Sequence, residues 1–260
     1  MAAMPVIDAH CHIIDPRFPL VGNNGYVPEP FDVHDYLERV RPLGVSGGVV
    51  VAGSFQGSAQ DYLIAALREL GDGYVGVTQL PADVSDERIR ELDAAGIRAV
   101  RFNLYRGPVL SLSEVSRFAH RVYEVAGWHS EFYLDAKALP DLAPMLRRLP
   151  AATIDHLAMS DDATGILLTL VEHGLVIKAT GFGRMSITDP DALMADILSA
   201  NPRGLVFGTD LPSTRAAIPF QDGDLDRVLQ VAGAEHADAV VRTNAIELYR
   251  LGVAVDPSSP

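Results

Sequence analysis

The chain has 260 residues, 48% of them hydrophobic, with a formal net charge of −13 and a single cysteine, Cys11. That length suits one large domain, and α/β barrels commonly close at about 250 residues. The acidic balance, with no basic run longer than LRRL, argues against nucleic acid and anionic membrane surfaces as partners, and one cysteine excludes an internal disulfide and fits a reducing compartment.

In chain order, PVIDAHCHI reads as the first strand. In an extended chain side chains alternate faces, so Asp8, His10 and His12 are expected on one face and Ala9, Cys11 and Ile13 on the other. A core face does not collect three polar groups without giving them something to hold, because an unpartnered buried polar group costs about 1–3 kcal/mol. VHDYLERV then carries apolar residues at helical steps, GVSGGVVVAG is the second strand, and QDYLIAALREL is helical. YVGVTQL, GIRAVRFNL, HSEFYLD, ATIDHLA, LVIKATG and GLVFGTDLP are the remaining strands. They are separated by DERIRELDAAG, SEVSRFAHRVYEVAG, LPDLAPMLRRLP, DATGILLTLVEHG and DPDALMADILSANP, each with apolar spacing of three and four. From about Gly223 to Leu251 a helix pair is expected to dock the C-terminus. MAAMPVIDAH lacks the basic region of a signal peptide, and no apolar run nears the roughly 18–20 residues that cross a bilayer, so a cytoplasmic location is expected.

Eight strands alternating with helices predict an α/β fold, a single-domain (β/α)8 TIM barrel over residues 1–255 with a tail at 256–260. A doubly wound open sheet is the alternative, but DAHCHIID lacks the glycine-rich fingerprint such folds carry after their first strand. Active sites of these barrels form where the strands end. There the sequence places His10 and His12, Ser54, Arg101 with Asn103 and Arg106, Tyr133 with Asp135, Asp155 with His156, Lys178 running on to Arg184, and Asp210. H-x-H on a strand puts both imidazoles within reach of one metal or one substrate oxygen. Asp210 also has a plainer reading as a turn residue or cap, and Arg101 as the partner of a surface acid. His34, His120, His129, His173 and His236 read as structural, and Cys11 as packing on the helix-facing side.

DAHCHI on the first strand, DH ending the sixth, GTDLP ending the eighth and a closing NAIELYR helix together resemble the amidohydrolase superfamily, in its amidohydrolase-2 branch, over nearly the whole chain. A narrower likeness is to the 2-pyrone-4,6-dicarboxylate lactonases and neighbouring sugar lactonases. It rests on Ser54, VRFNL with Arg101 and then Arg106, FYLDAKALPDL with Tyr133, IDHLAMSD with His156, and Arg184. The resemblance implies that Asp210 is the base that deprotonates the attacking water, and that His10, His12 and His156 polarise the lactone carbonyl. Arg101, Arg106 and Arg184 would hold carboxylates, with Tyr133 and Ser54 orienting the ring.

Metal-dependent members of the superfamily add a histidine or carboxylated lysine from the fourth or fifth strand, and here those strands offer Arg101, Asn103, Tyr133 and Asp135. The expectation is therefore catalysis without a cofactor, with zinc or manganese held by His10, His12, His156 and Asp210 as the alternative. The expected partner is a small anionic lactone or carboxylic acid, met by a monomer or small homo-oligomer. Competing readings are a metal-dependent decarboxylase of an aromatic or unsaturated acid, a sugar-diacid lactone isomerase, and a barrel that only binds an acidic metabolite. Arg215, in GTDLPSTRAAIP, is a further residue placed to reach the substrate.

Overall fold

The computed structural model describes residues 4–22, 25–105 and 110–252. Val6–Cys11 (β1), Val45–Val51 (β2), Tyr74–Thr78 (β3), Ile97–Asn103 (β4), His129–Tyr133 (β5), Ala152–Ile154 (β6), Val176–Ala179 (β7) and Leu205–Phe207 (β8) form one sheet in sequential order. Every neighbouring pair from β1 to β8 is parallel. Past the end of β8 the two edges meet: Asp210 N donates to His10 O and His12 N to Leu211 O, both at 2.7 Å. The expected (β/α)8 barrel is thus the fold. Gly208 permits the closure, because a Cβ there would lie 2.7 Å from the backbone nitrogen of His10.

The crossovers are Val33–Val40 (α1), Asp61–Leu70 (α2), Asp86–Ala94 (α3), Leu112–Ala126 (α4), Leu139–Leu146 (α5), Thr164–Glu172 (α6) and Pro190–Ala200 (α7), followed by Asp222–Asp238 (α8) and Asn244–Tyr249 (α9). Local chemistry sets their ends. Ser111 caps α4 in a reciprocal box with Glu114, and Gly127 ends that helix at φ 67°, a left-handed stop that glycine adopts without strain. The main core lies between strands and helices, with Trp128, Phe118, Phe132 and Leu63 fully enclosed. Burial of each such side chain contributes roughly 1.5–3 kcal/mol.

A second apolar cluster fills the end of the barrel where the strands begin. There Ala245, Ile246 and Tyr249 of α9 pack on Ile7, Val49, Val75 and Val206. The expected helix pair is present as α8 and α9, joined by a π-helical stretch at Ala239–Thr243. Among the described residues no helix is long and apolar enough to cross a membrane.

One expectation about β1 is corrected. Its register against β2 shifts between Asp8 and Cys11, so strict alternation fails. Ile7 and Ala9 join the inner cluster, whereas Asp8 meets Tyr36 of α1. Beyond the irregularity His10 and His12 face the barrel mouth, and Cys11 and Ile13 join the outer core as expected. Asp8 is not part of the inward polar face. It accepts hydrogen bonds from His10 N, Thr209 N, Thr209 Oγ1 and Tyr36 Oη, at 2.6–3.1 Å. It therefore ties β1 to the segment after β8 from the outside. Burial pushes its carboxyl up to about 6, against the opposing pull of those donors.

Candidate active site

At the strand ends a narrow cavity, about 30 Å³, is lined by His12, Ser54, Phe55, Arg101, Asn103, Tyr133, His156, Arg184, Asp210, Thr214 and Arg215, with the backbone of Gly53. His10 sits beneath it, fully buried. The four central side chains converge on one oxygen. Asp210 Oδ1 lies 3.7 Å from His10 Nε2, 3.6 Å from His12 Nε2 and 3.9 Å from His156 Nε2. Asp210 Oδ1, His10 Nε2 and the Tyr133 hydroxyl are buried without a protein hydrogen-bond partner. Buried polar atoms are normally satisfied, so three together mark the place of a ligand or water.

Local backbone geometry aims these groups. His156, Leu157, Ala158 and Met159 all have positive φ, from 48° to 69°, and so do Asp210 (59°), Ser213 (64°) and Arg215 (61°). Each such non-glycine residue costs of order 1 kcal/mol, and left-handed residues held by their surroundings concentrate at functional sites. The turn at His156–Met159 ends β6 sooner than the sequence suggests and swings the imidazole inward, where Nδ1 meets Thr180 Oγ1 at 2.6 Å. His12 Nδ1 faces the Val51 carbonyl at 2.7 Å, an oxygen that can only accept. The hydrogen is therefore on Nδ1, and Nε2 is the ring atom that faces Asp210.

The charges are arranged in pairs. Arg184 holds Asp210 through Nε, at 2.9 Å from Oδ2, and through Nη2, which also donates to Thr214 O. Burial alone would raise the Asp210 carboxyl, but Arg184 and then His156 hold it well below the usual carboxylate range, so it is ionised at neutral pH. Burial, reinforced by Lys178, lowers His10 to about 4, and burial lowers His156 well below its ordinary value; both are neutral at pH 7. Arg101 donates to Asp155 Oδ2 through Nε and Nη2, at 3.0 and 2.8 Å, and to Ala52 O through Nη1. Its guanidinium lines the cavity, 5.2 Å from the Tyr133 ring centre, while already answering a buried carboxylate. Lys178 is paired with Glu131 at 2.7 Å.

The structure thus brings together His10, His12, His156, Asp210, Arg101, Arg184, Tyr133, Ser54 and Arg215. Arg106 lies outside the described residues. Asp135 instead caps the turn at Ala136 and accepts from Ser160. Sequence reasoning passed over Glu131 and Thr180. Glu131 sits two positions before Tyr133 on the same strand, so period-two alternation pointed to it. His129, near Glu131 and packed on Tyr249, is at the opposite end as expected.

Three imidazoles and a carboxylate also form a donor set of the kind that binds zinc or manganese. The orphaned His10 Nε2 and Asp210 Oδ1, with His156, satisfy the spacing for one ion. Such an ion would be held by His10, His156 and Asp210, with His12 beside Asp210, and would acidify a bound water.

The model of the amidohydrolase family matches residues 7–251. Among curated proteins, the 2-pyrone-4,6-dicarbaxylate hydrolase of Comamonas testosteroni is 28% identical over 273 residues, covering 94% of this chain and 89% of that protein. The D-galactarolactone isomerase of Agrobacterium fabrum is 24% identical over 234 residues, covering 83% and 80%. A solved apo structure from Agrobacterium tumefaciens superposes with a TM-score of 0.83 at 21% identity, covering 95% of this chain and 96% of that one.

Proposed function

The chain belongs to the amidohydrolase family, and from that premise we propose that it is a lactonase, a hydrolase that opens the ring of a small carboxylated lactone resembling 2-pyrone-4,6-dicarboxylate. The observation that carries the reading is the unpartnered Asp210 Oδ1 at the meeting point of three imidazoles, beneath a cavity edged by arginines. A water placed there donates to Asp210 Oδ1 and to the lone pair of His12 Nε2, leaving its oxygen directed at a carbonyl in the cavity. As the water oxygen bonds to the carbonyl carbon, Asp210 takes its proton. The oxyanion that forms is stabilised by hydrogen-bond donors held in place before reaction. The ring C–O bond then breaks, and the departing oxygen recovers the proton from Asp210.

Arg184 has two roles in this reading. It keeps Asp210 ionised and, with Arg101 and Arg215, makes the mouth attractive to carboxylates. Tyr133, whose hydroxyl lacks a protein partner, and Ser54 orient the ring.

We assign the hydrolysis to the protein's own groups, without a metal. The buried carboxylates Asp155, Glu131 and Asp210 are matched by Arg101, Lys178 and Arg184. A divalent ion would upset that balance, at about 4 kcal/mol for each unit-charge pair at 4 Å and an effective dielectric near 20. Arg101 is offset by Asp155, and Arg184 and Lys178 lie against Asp210 and His10 of the donor set.

The similarity to a D-galactarolactone isomerase favours a second reading, in which the same acid and base groups move the acyl bond within a sugar-diacid lactone. A pH-indicator assay separates the two, because hydrolysis releases acid and isomerisation does not. Chelator-treated protein of measured metal content is mixed with 2-pyrone-4,6-dicarboxylate and with a set of sugar-diacid lactones. Acid release at full rate with less than stoichiometric metal is the expected outcome. Silence rescued by zinc or manganese would overturn the metal-free assignment, and ring isomerisation without acid would replace the hydrolase.

A further inference from the structure

Lys178, on β7, is fully buried and has no part in the steps above. Its ammonium lies 2.7 Å from Glu131 Oε2, 3.6 Å from Asp155 Oδ1 and 3.3 Å from His10 Nδ1. His10, Glu131 and Asp155 by themselves form a donor set that could surround a cation. Lys178 supplies that charge from the chain itself.

The consequence falls on His10. An ammonium only donates hydrogen bonds, and Lys178 is hydrogen-bonded to His10 Nδ1. Asp155 Oδ1 lies at the same 3.3 Å from Nδ1 and competes for it, but it does not meet the ring with hydrogen-bond geometry. A neutral imidazole that accepts at Nδ1 carries its hydrogen on Nε2. That Nε2 is the orphaned buried atom under the cavity. The neighbouring His12 is set the other way, donating from Nδ1 to Val51 O.

We propose that Lys178 is a positioning residue: by donating to His10 Nδ1 it fixes the Nε2–H tautomer, which supplies a hydrogen bond to the carbonyl oxygen under attack. This rests on the lactonase reading and refines it. The two imidazoles of H-x-H take opposite duties, His12 accepting from the water and His10 donating to the oxyanion. The same arrangement works against a divalent ion, because an Nε2–H has no lone pair to ligate.

The first test needs no substrate. Imidazole ¹⁵N–¹H correlation spectra of chelator-treated protein, with His10 assigned through His10→Gln, should show Nε2–H in the native chain. In Lys178→Met they should show Nδ1–H, with Asp155 as the new partner. Nδ1–H in the native chain, or an unchanged tautomer in Lys178→Met, would overturn the proposal whatever the protein's substrate. With a lactone that is turned over, Lys178→Met should lose about 10²–10³-fold in kcat, as loss of one oxyanion donor does, while KM stays within about twofold. Lys178→Met/Glu131→Gln removes both charges of the pair, leaves no unpaired carboxylate to unfold the barrel, and carries both measurements if the single variant does not fold. Its kcat should stay low. Recovery of kcat in the double variant would mean that Lys178 only neutralises Glu131, and would overturn the assignment.

Discussion

The two ends of the barrel are built to opposite rules. Where the strands begin, α9 closes the opening with Ile246 and Tyr249 on an apolar floor, Tyr249 donates to Glu131 at 2.6 Å, and Asn244 donates to the carbonyls of Pro202 and Leu205. Where the strands end, polar atoms of His10, Tyr133 and Asp210 gather around one cavity without partners, whereas His129 Nε2 is an isolated case at the other end, and the turns after β6 and β8 hold left-handed residues. The difference teaches a division of labour. One end supplies stability that the other spends on holding groups in unsatisfied, reactive arrangements.

Substitutions should separate the two ends. The largest effect is expected from Asp210→Asn, which keeps the shape and removes the base. Turnover should fall by about 10³-fold or more, combining loss of proton transfer with loss of the charge that organises the site, while circular dichroism and melting show an intact fold. Near-native turnover would remove Asp210 from the mechanism. At the other end, Ile246→Ala should cost roughly 2–5 kcal/mol of stability through its cavity, lowering the melting temperature by roughly 5–15 °C. Its kcat per folded molecule should not change, and a matching loss of kcat would show that the floor and the site are not separable.

The smallest effect concerns pH. His10 is lowered to about 4 by burial and then by Lys178, so it is neutral throughout the ordinary range. Asp210 is held lower still, so it does not set the acid limb. Activity is therefore present above pH 4 and lost as pH falls through about 4, approaching tenfold per unit below it. His10 should therefore add no limb to a kcat/KM profile between pH 8 and about 5. A limb in that range that moves on Lys178→Met would show that His10 titrates there and is wetter than its burial implies.

Much of this protein was legible locally. Alternation and helical spacing marked eight strand and helix units. H-x-H placed two imidazoles at one strand end, and DH and GTD at later strand ends completed the central set of His10, His12, His156 and Asp210. These signals survive in a one-dimensional chain because they arise from the backbone period and from short turns. Asp8 shows where local reading stops. Its alternation with His10 was undone by a register shift that only the pairing of β1 with β2 creates. Arg101 read as a carboxylate grip, and the structure adds that its guanidinium also answers Asp155, 54 residues away. Glu131 and Lys178, 47 residues apart, meet His10 only when the barrel closes, 168 residues from Lys178 back to β1. Residue types and their strand ends were thus determined by the sequence alone. Which charges cancel, which hydrogen each imidazole carries and which atoms stay unpartnered depend on distances across the closed barrel, and only the tertiary structure decides those.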